Sequence, residues 1–83
     1  MSARIKLPSD LSVLSRSELE RAIYESAFHR DDDLIARRYL VEKVAQMDIA
    51  AELGWTRGTV GSHIPMILER VSDMAKRIST NHT

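Results

Sequence analysis

Apolar residues recur along this chain at spacings of three and four, and nowhere alternate with polar ones for long. Leu19, Ala22, Ile23, Ala27 and Phe28 form one stripe of a 3.6-residue helix. Ser17 and Glu20 stand at its head with the spacing of a capping box, which predicts a first helix beginning near Ser17. The stripe is broken by His29-Arg30-Asp31-Asp32-Asp33. Three carboxylates there suit the positive end of a second helix, expected over about 32–43. Its wide apolar side would be Leu34, Ile35, Tyr39, Leu40, Val41 and Val44, with Arg37, Arg38, Glu42 and Lys43 opposite. A short third helix is expected over 46–53, closed by Gly54, a residue at ease with the positive φ of a helix C-terminus. Thr56 is placed to cap a fourth, beginning at Arg57. One last stripe then runs through Ile64, Ile67, Leu68, Val71, Met74, Ala75 and Ile78.

These elements predict an all-α fold, a four-to-five-helix bundle occupying residues 15–79. Residues 1–14, with the turn chemistry of Pro8-Ser9-Asp10, read as an irregular arm, and residues 80–83 as a tail. Two prolines and three glycines in 83 residues leave few breaks, so a single small domain is expected, with a thin core. Pro65 falls inside the fourth helix. It lacks an N–H and its ring crowds the carbonyl of Gly61, so a bend or restart near Ile64 is expected.

Charge changes the picture more than size does. Twelve cations balance twelve anions, and the balance is local: eight of each in residues 1–43 and four of each in residues 44–83. No basic excess is available for general attraction to phosphate. The chain has no cysteine, which removes disulfides and cysteine metal sites. The early cations Arg4 and Lys6 have no apolar stretch behind them, so no secretory signal is expected, and apolar runs are far too short for a membrane span. A cytoplasmic location is expected. His29, His63 and His82 lack zinc-ligand spacing, and three successive aspartates point in different directions on a helix, so neither a metal nor another cofactor is expected. Nor is an enzyme: there is no nucleophile with a partnered base, and no strand precedes Gly58 and Gly61 to make a nucleotide loop.

The informative stretch is Gln46-Met47-Asp48-Ile49-Ala50-Ala51-Glu52-Leu53-Gly54-Trp55-Thr56-Arg57-Gly58-Thr59-Val60. Two short helices joined by a three- or four-residue turn need a small residue where they touch, a positive-φ turn residue, and apolar anchors on both sides. Ala50, Gly54, and Ile49, Leu53, Trp55 and Val60 supply these. Trp55 reads as a plug of the turn and Met47, Met66 and Met74 as packing. The pattern from Ile49-Ala50 through Leu53-Gly54, Thr56, Gly58-Thr59-Val60 and Ser62 resembles the helix-turn-helix of bacterial sigma factor region four, placing that motif over 46–70. Its continuation through His63-Ile64, Ile67-Leu68 and Arg70-Val71 is similar to the DNA-binding domain of LuxR-type regulators. The resemblance is specific over about residues 33–71.

The resemblance implies a sequence-specific transcriptional regulator that binds double-stranded DNA, with the fourth helix in the major groove. Arg57, Gly58, Gly61 and Ser62 would face base edges, with Thr59 and His63 on the flank. Arg57 would grip the O6 and N7 of guanine. Thr56, Gln46, Lys43 and Arg38 would contact phosphates, and RNA polymerase would be a neighbour at a promoter. LuxR-type domains dimerise through their last helix, which implies a homodimer through residues 66–78; the alternative is that this stripe packs back on the first two helices. The chain departs from the pattern at Gly61, where Lys or Arg is usual, at Ala45, where a capping Ser or Thr is usual, and at Pro65. The neutral charge keeps a second reading open, a helix-turn-helix adaptor that binds a sigma factor, a polymerase subunit or a phage component. His63 also reads as a half-buried, hydrogen-bonded residue.

Overall fold

A computed structural model describes the backbone of residues 9–80 and the side chains of residues 11–78. Regular structure among them is entirely helical: a single turn α1 (Ser9–Ser12), α2 (Arg16–Glu25), α3 (Arg30–Ala36) running straight into a π-helical segment at Arg37–Val41, α4 (Gln46–Leu53) and α5 (Arg57–Thr80). The all-α class is as expected. Residues 1–8 of the expected arm, residues 81–83 of the expected tail, and His82 lie outside the described residues.

The arm is shorter than expected, because residues 9–12 are helical and Leu11 is fully buried against α5. Ser and Asp are helix-starting residues as well as turn formers, and here the first role prevails. The cap of α2 falls two residues before the predicted one. Ser15 is its cap: the Glu18 N–H donates to Ser15 Oγ at 3.2 Å, and the Ser15 N–H donates to Glu18 Oε1 at 2.8 Å. Ser15 also places Leu14 and Leu19 just before and four residues after the cap, where a hydrophobic staple needs apolar residues. The Ser17 frame would put Arg16 and Arg21 there. Both leucines pack into the core.

α2 buries Leu19, Ala22 and Ile23. Ala27 does not extend that stripe: it sits at φ 54° and ends the helix, exposed. Ser26 takes the inward place instead, its hydroxyl donating to the Ala22 carbonyl at 2.7 Å. Asp31, Asp32 and Asp33 lie in the first turn of α3, where its dipole favours them. The second helix therefore runs over 30–41 rather than 32–43, and its last turn widens to π. The Glu42 N–H reaches the Arg37 carbonyl at 3.1 Å and the Val44 N–H reaches that of Arg38 at 2.8 Å, with Lys43 at φ 59° closing the reversal. Ile35, Ala36, Tyr39 and Leu40 face inward.

α5 is the spine. At about 1.5 Å per residue its 24 residues account for most of the 42 Å long axis. It packs on α1, α2, α3 and α4, burying Val60, Ile64, Ile67, Val71 and Ala75. The predicted restart at Ile64 is absent, and α5 passes through Pro65 unbroken. Pro65 is exposed, so its missing hydrogen bond falls on the solvent side, where helix carbonyls tilt outward to water. Most of the apolar stripe of residues 66–78 lies inside the monomer, with Leu68 and Ile78 half-buried on the same core and Met74 also half-buried. Its outer side carries Glu69, Arg70, Asp73, Lys76 and Arg77. The stripe through which a second copy was expected to pair is thus largely packed on the chain's own helices, with Met66 exposed beside it.

Candidate nucleic-acid interface

Three residues connect α4 to α5, and each has a distinct task. Gly54 caps α4 at φ 73°, with no atom near where a Cβ would stand. Its requirement is one of backbone conformation, and an L side chain there costs roughly 1–2 kcal/mol. Trp55 is half-buried on the core, and its ring lies 5.0 Å from that of His63, tilted by 51°. Thr56 caps α5: its Oγ1 accepts from the Thr59 N–H at 3.2 Å and pairs with the Thr59 hydroxyl at 2.8 Å. The start of α5 is therefore fixed by local chemistry on both sides of the turn.

The start of α4 is not. Ala45 has the extended geometry of a cap (φ −66°, ψ 148°) with no side chain to complete it. Ala45→Ser places a hydroxyl where the Asp48 N–H is one of the first-turn donors. The substitution is expected to stabilise the fold by about 1 kcal/mol, seen in thermal melts as a Tm higher by roughly 4–8 °C. An unchanged Tm would show that Ala45 does not start this helix.

Arg57, Gly58, Thr59 and Ser62 are exposed on the first two turns of α5, as expected. The Ser62 hydroxyl donates back to the Thr59 carbonyl at 2.8 Å. Arg57 and Lys43 are exposed and form no ion pair among the described residues. The other nominated side chains are engaged inside the molecule. Gly61 is half-buried against α4: a Cβ there would stand 3.2 Å from Gln46 Oε1. The missing Lys or Arg at this position is thus also the space that the Gln46 side chain occupies. Burial pushes the Tyr39 phenol upward in pKa, and the Gln46 side chain offsets part of the rise.

His63 is turned away from the face. Its Nδ1 lies 2.8 Å from Asp32 Oδ1, across to the first turn of α3, with both side chains largely covered. Arg38, expected on phosphate, is held by two carboxylates. Its Nε and Nη2 both donate to Glu52 at 3.0 Å and its Nη1 donates to Glu42 at 2.7 Å. Donating to Glu52 and then to Glu42 raises the guanidinium further above its already high range, and accepting from Arg38 lowers the Glu52 carboxyl. Sequence reasoning missed Glu52 and Asp32 as partners. They lie 14 and 31 residues away from Arg38 and His63, so no helical spacing signals them.

Met47 and Met66, read as packing, are 64% and 44% exposed. Among the described residues no set of His, Asp and Glu is arranged to hold a metal ion, and no helix is long and apolar enough to cross a membrane. Comparison with protein-family models, with curated proteins and with solved structures finds no match.

Proposed function

We propose that this chain is a sequence-specific DNA-binding module of the helix-turn-helix kind, acting on transcription, with the first two turns of α5 entering the major groove. One observation carries the reading. An exposed, unpaired Arg57 stands at the first position of a long helix whose start is set by the left-handed Gly54 and the Thr56 cap. A guanidinium so placed matches the paired acceptors of guanine. Gly58 beside it lets the backbone approach closely, and Thr59 and Ser62 offer hydroxyls to either base or phosphate.

The test is selection from a random duplex pool at near-physiological salt. One asymmetric motif is expected, because the stripe that would pair two copies is largely packed on the chain's own helices. With Arg57 on guanine and Lys43 as the unpaired cation left for phosphate beside it, the logarithm of affinity should fall against that of salt with a slope of only about −1 per module, at roughly −0.9 per phosphate neutralised. A folded protein that enriches no motif would overturn the proposal. The second reading, a protein-binding adaptor, then takes its place. It is favoured by the neutral charge and by Met47 and Met66, exposed on α4 and α5. Its interface should persist as salt rises.

A further inference from the structure

The cations available near the reading face are fewer than the sequence offers. Arg38, Lys43 and Arg57 lie between the end of the second helix and the start of α5, and Arg38 alone of the three is bound to carboxylates. Its guanidinium has all three nitrogens engaged, two on Glu52 and one on Glu42. One cation between two anions makes a cluster of net charge −1 (one minus two), which repels phosphate although it contains an arginine. The cluster is open to water: the side chains are 31% exposed for Arg38, 40% for Glu42 and 42% for Glu52. Ion pairs this accessible hold their partners weakly, and a phosphate is an equally good acceptor for an arginine fork. Glu52 is in the last turn of α4, two residues before Gly54, so the cluster is anchored beside the turn that delivers Arg57.

We infer that Glu52 masks Arg38 as a latent phosphate-binding residue and thereby limits the affinity of the module for duplex DNA in general. The inference rests on the DNA-binding reading above. Non-specific binding is almost wholly a matter of phosphate neutralisation, so an arginine held by carboxylates is silent there. Freed, it supplies one further contact wherever the module lands. Asp48, also exposed on α4, holds no arginine in this way and serves as the control for simple removal of negative charge.

The experiment measures binding to a duplex lacking the selected motif, at about 50 mM and about 200 mM salt, a roughly fourfold difference. The proteins are the unmodified chain, Glu52→Gln, Asp48→Asn, and Glu52→Gln combined with Arg38→Gln. Glu52→Gln keeps the shape of the side chain and is expected to bind more tightly at the lower salt. Its loss of affinity between the two salts should be larger by about 3.5-fold, the effect of one added phosphate contact. Asp48→Asn should leave the salt dependence unchanged, and the double variant should return it to that of the unmodified chain. Glu42→Gln, which removes the other carboxylate, is expected to shift it the same way by less, and is the variant to read if Glu52→Gln melts below the assay temperature. Salt dependence unchanged in Glu52→Gln, or a gain that survives loss of Arg38, overturns the inference. If the unmodified chain selects no motif, the DNA-binding reading itself has failed; if it selects one and Glu52→Gln gains nothing, only the masking is refuted.

Discussion

Leu40→Ala is expected to cost about 2–5 kcal/mol of folding stability, the range for deleting a fully buried aliphatic side chain with partial collapse of the cavity. Leu40 is 0% exposed in the π segment, which packs on α2 and α4. An 83-residue chain has roughly 4–12 kcal/mol to lose in total, at about 0.05–0.15 kcal/mol per residue. A loss of this size removes a large share of the total and leaves much of the protein unfolded near 37 °C at the low end of that range. Urea unfolding followed by circular dichroism measures it: the midpoint should fall while the slope stays constant, as for a small two-state domain. Val41→Ala, one residue on and half-buried, should fall short of it. A Leu40→Ala midpoint within error of the unmodified chain would mean that the π segment does not hold the second helix against α2.

What was legible in the sequence was what is local. Gly54, the Thr56 cap, the missing cap at Ala45 and the inward stripe of α5 each follow from residues a few positions apart, and each stands where its spacing puts it. The failures have specific causes. Ser15 and Ser17 each precede a glutamate by three, so the capping box alone does not choose between them; the staple leucines do. Ala27 continues a period of four and is apolar, yet the chain reverses at Ser26, whose hydroxyl satisfies itself on the Ala22 carbonyl. A five-residue π segment is too short for its wider period to register in hydrophobic spacing. Leu11 has Leu7 and Leu14 at helical spacing, too short a stripe beside the turn chemistry of Pro8-Ser9-Asp10 to predict a helix, and it is α5 packed on α1 that gives Leu11 a place in the core.

The candidate interface divides along the same line. Exposure of Arg57, Gly58, Thr59 and Ser62 follows from helical position relative to Val60 and Ile64. The engagement of Arg38 and His63 does not, because it is decided by Glu52 and Asp32 on other elements. Burial shows which side a residue faces, whereas a side chain's partner is a tertiary fact. The stripe of residues 66–78 shows the same limit: four apolar turns read identically whether a second copy or α2 and α3 cover them.

Arg57→Ala is expected to weaken binding to the selected motif by about 1–3 kcal/mol, the worth of one bidentate contact to guanine, or roughly five- to 150-fold. The loss should fall on one base pair: the variant, passed through the same selection, should return the motif with that position relaxed. Lys43→Ala, which removes a phosphate contact and no base contact, should instead weaken all sequences alike and make the salt slope shallower by about 0.9. Folding gives an independent check, and its sign is informative. Arg57 is the first residue of α5, where the helix dipole presents its positive end and a cation costs about 0.3–1 kcal/mol. Stability alone would not choose arginine there, so Arg57→Ala should melt at the same temperature as the unmodified chain or slightly above it while binding falls. Binding and stability falling together would make Arg57 a structural residue, and motif binding that survives its removal would take the reading helix away from α5.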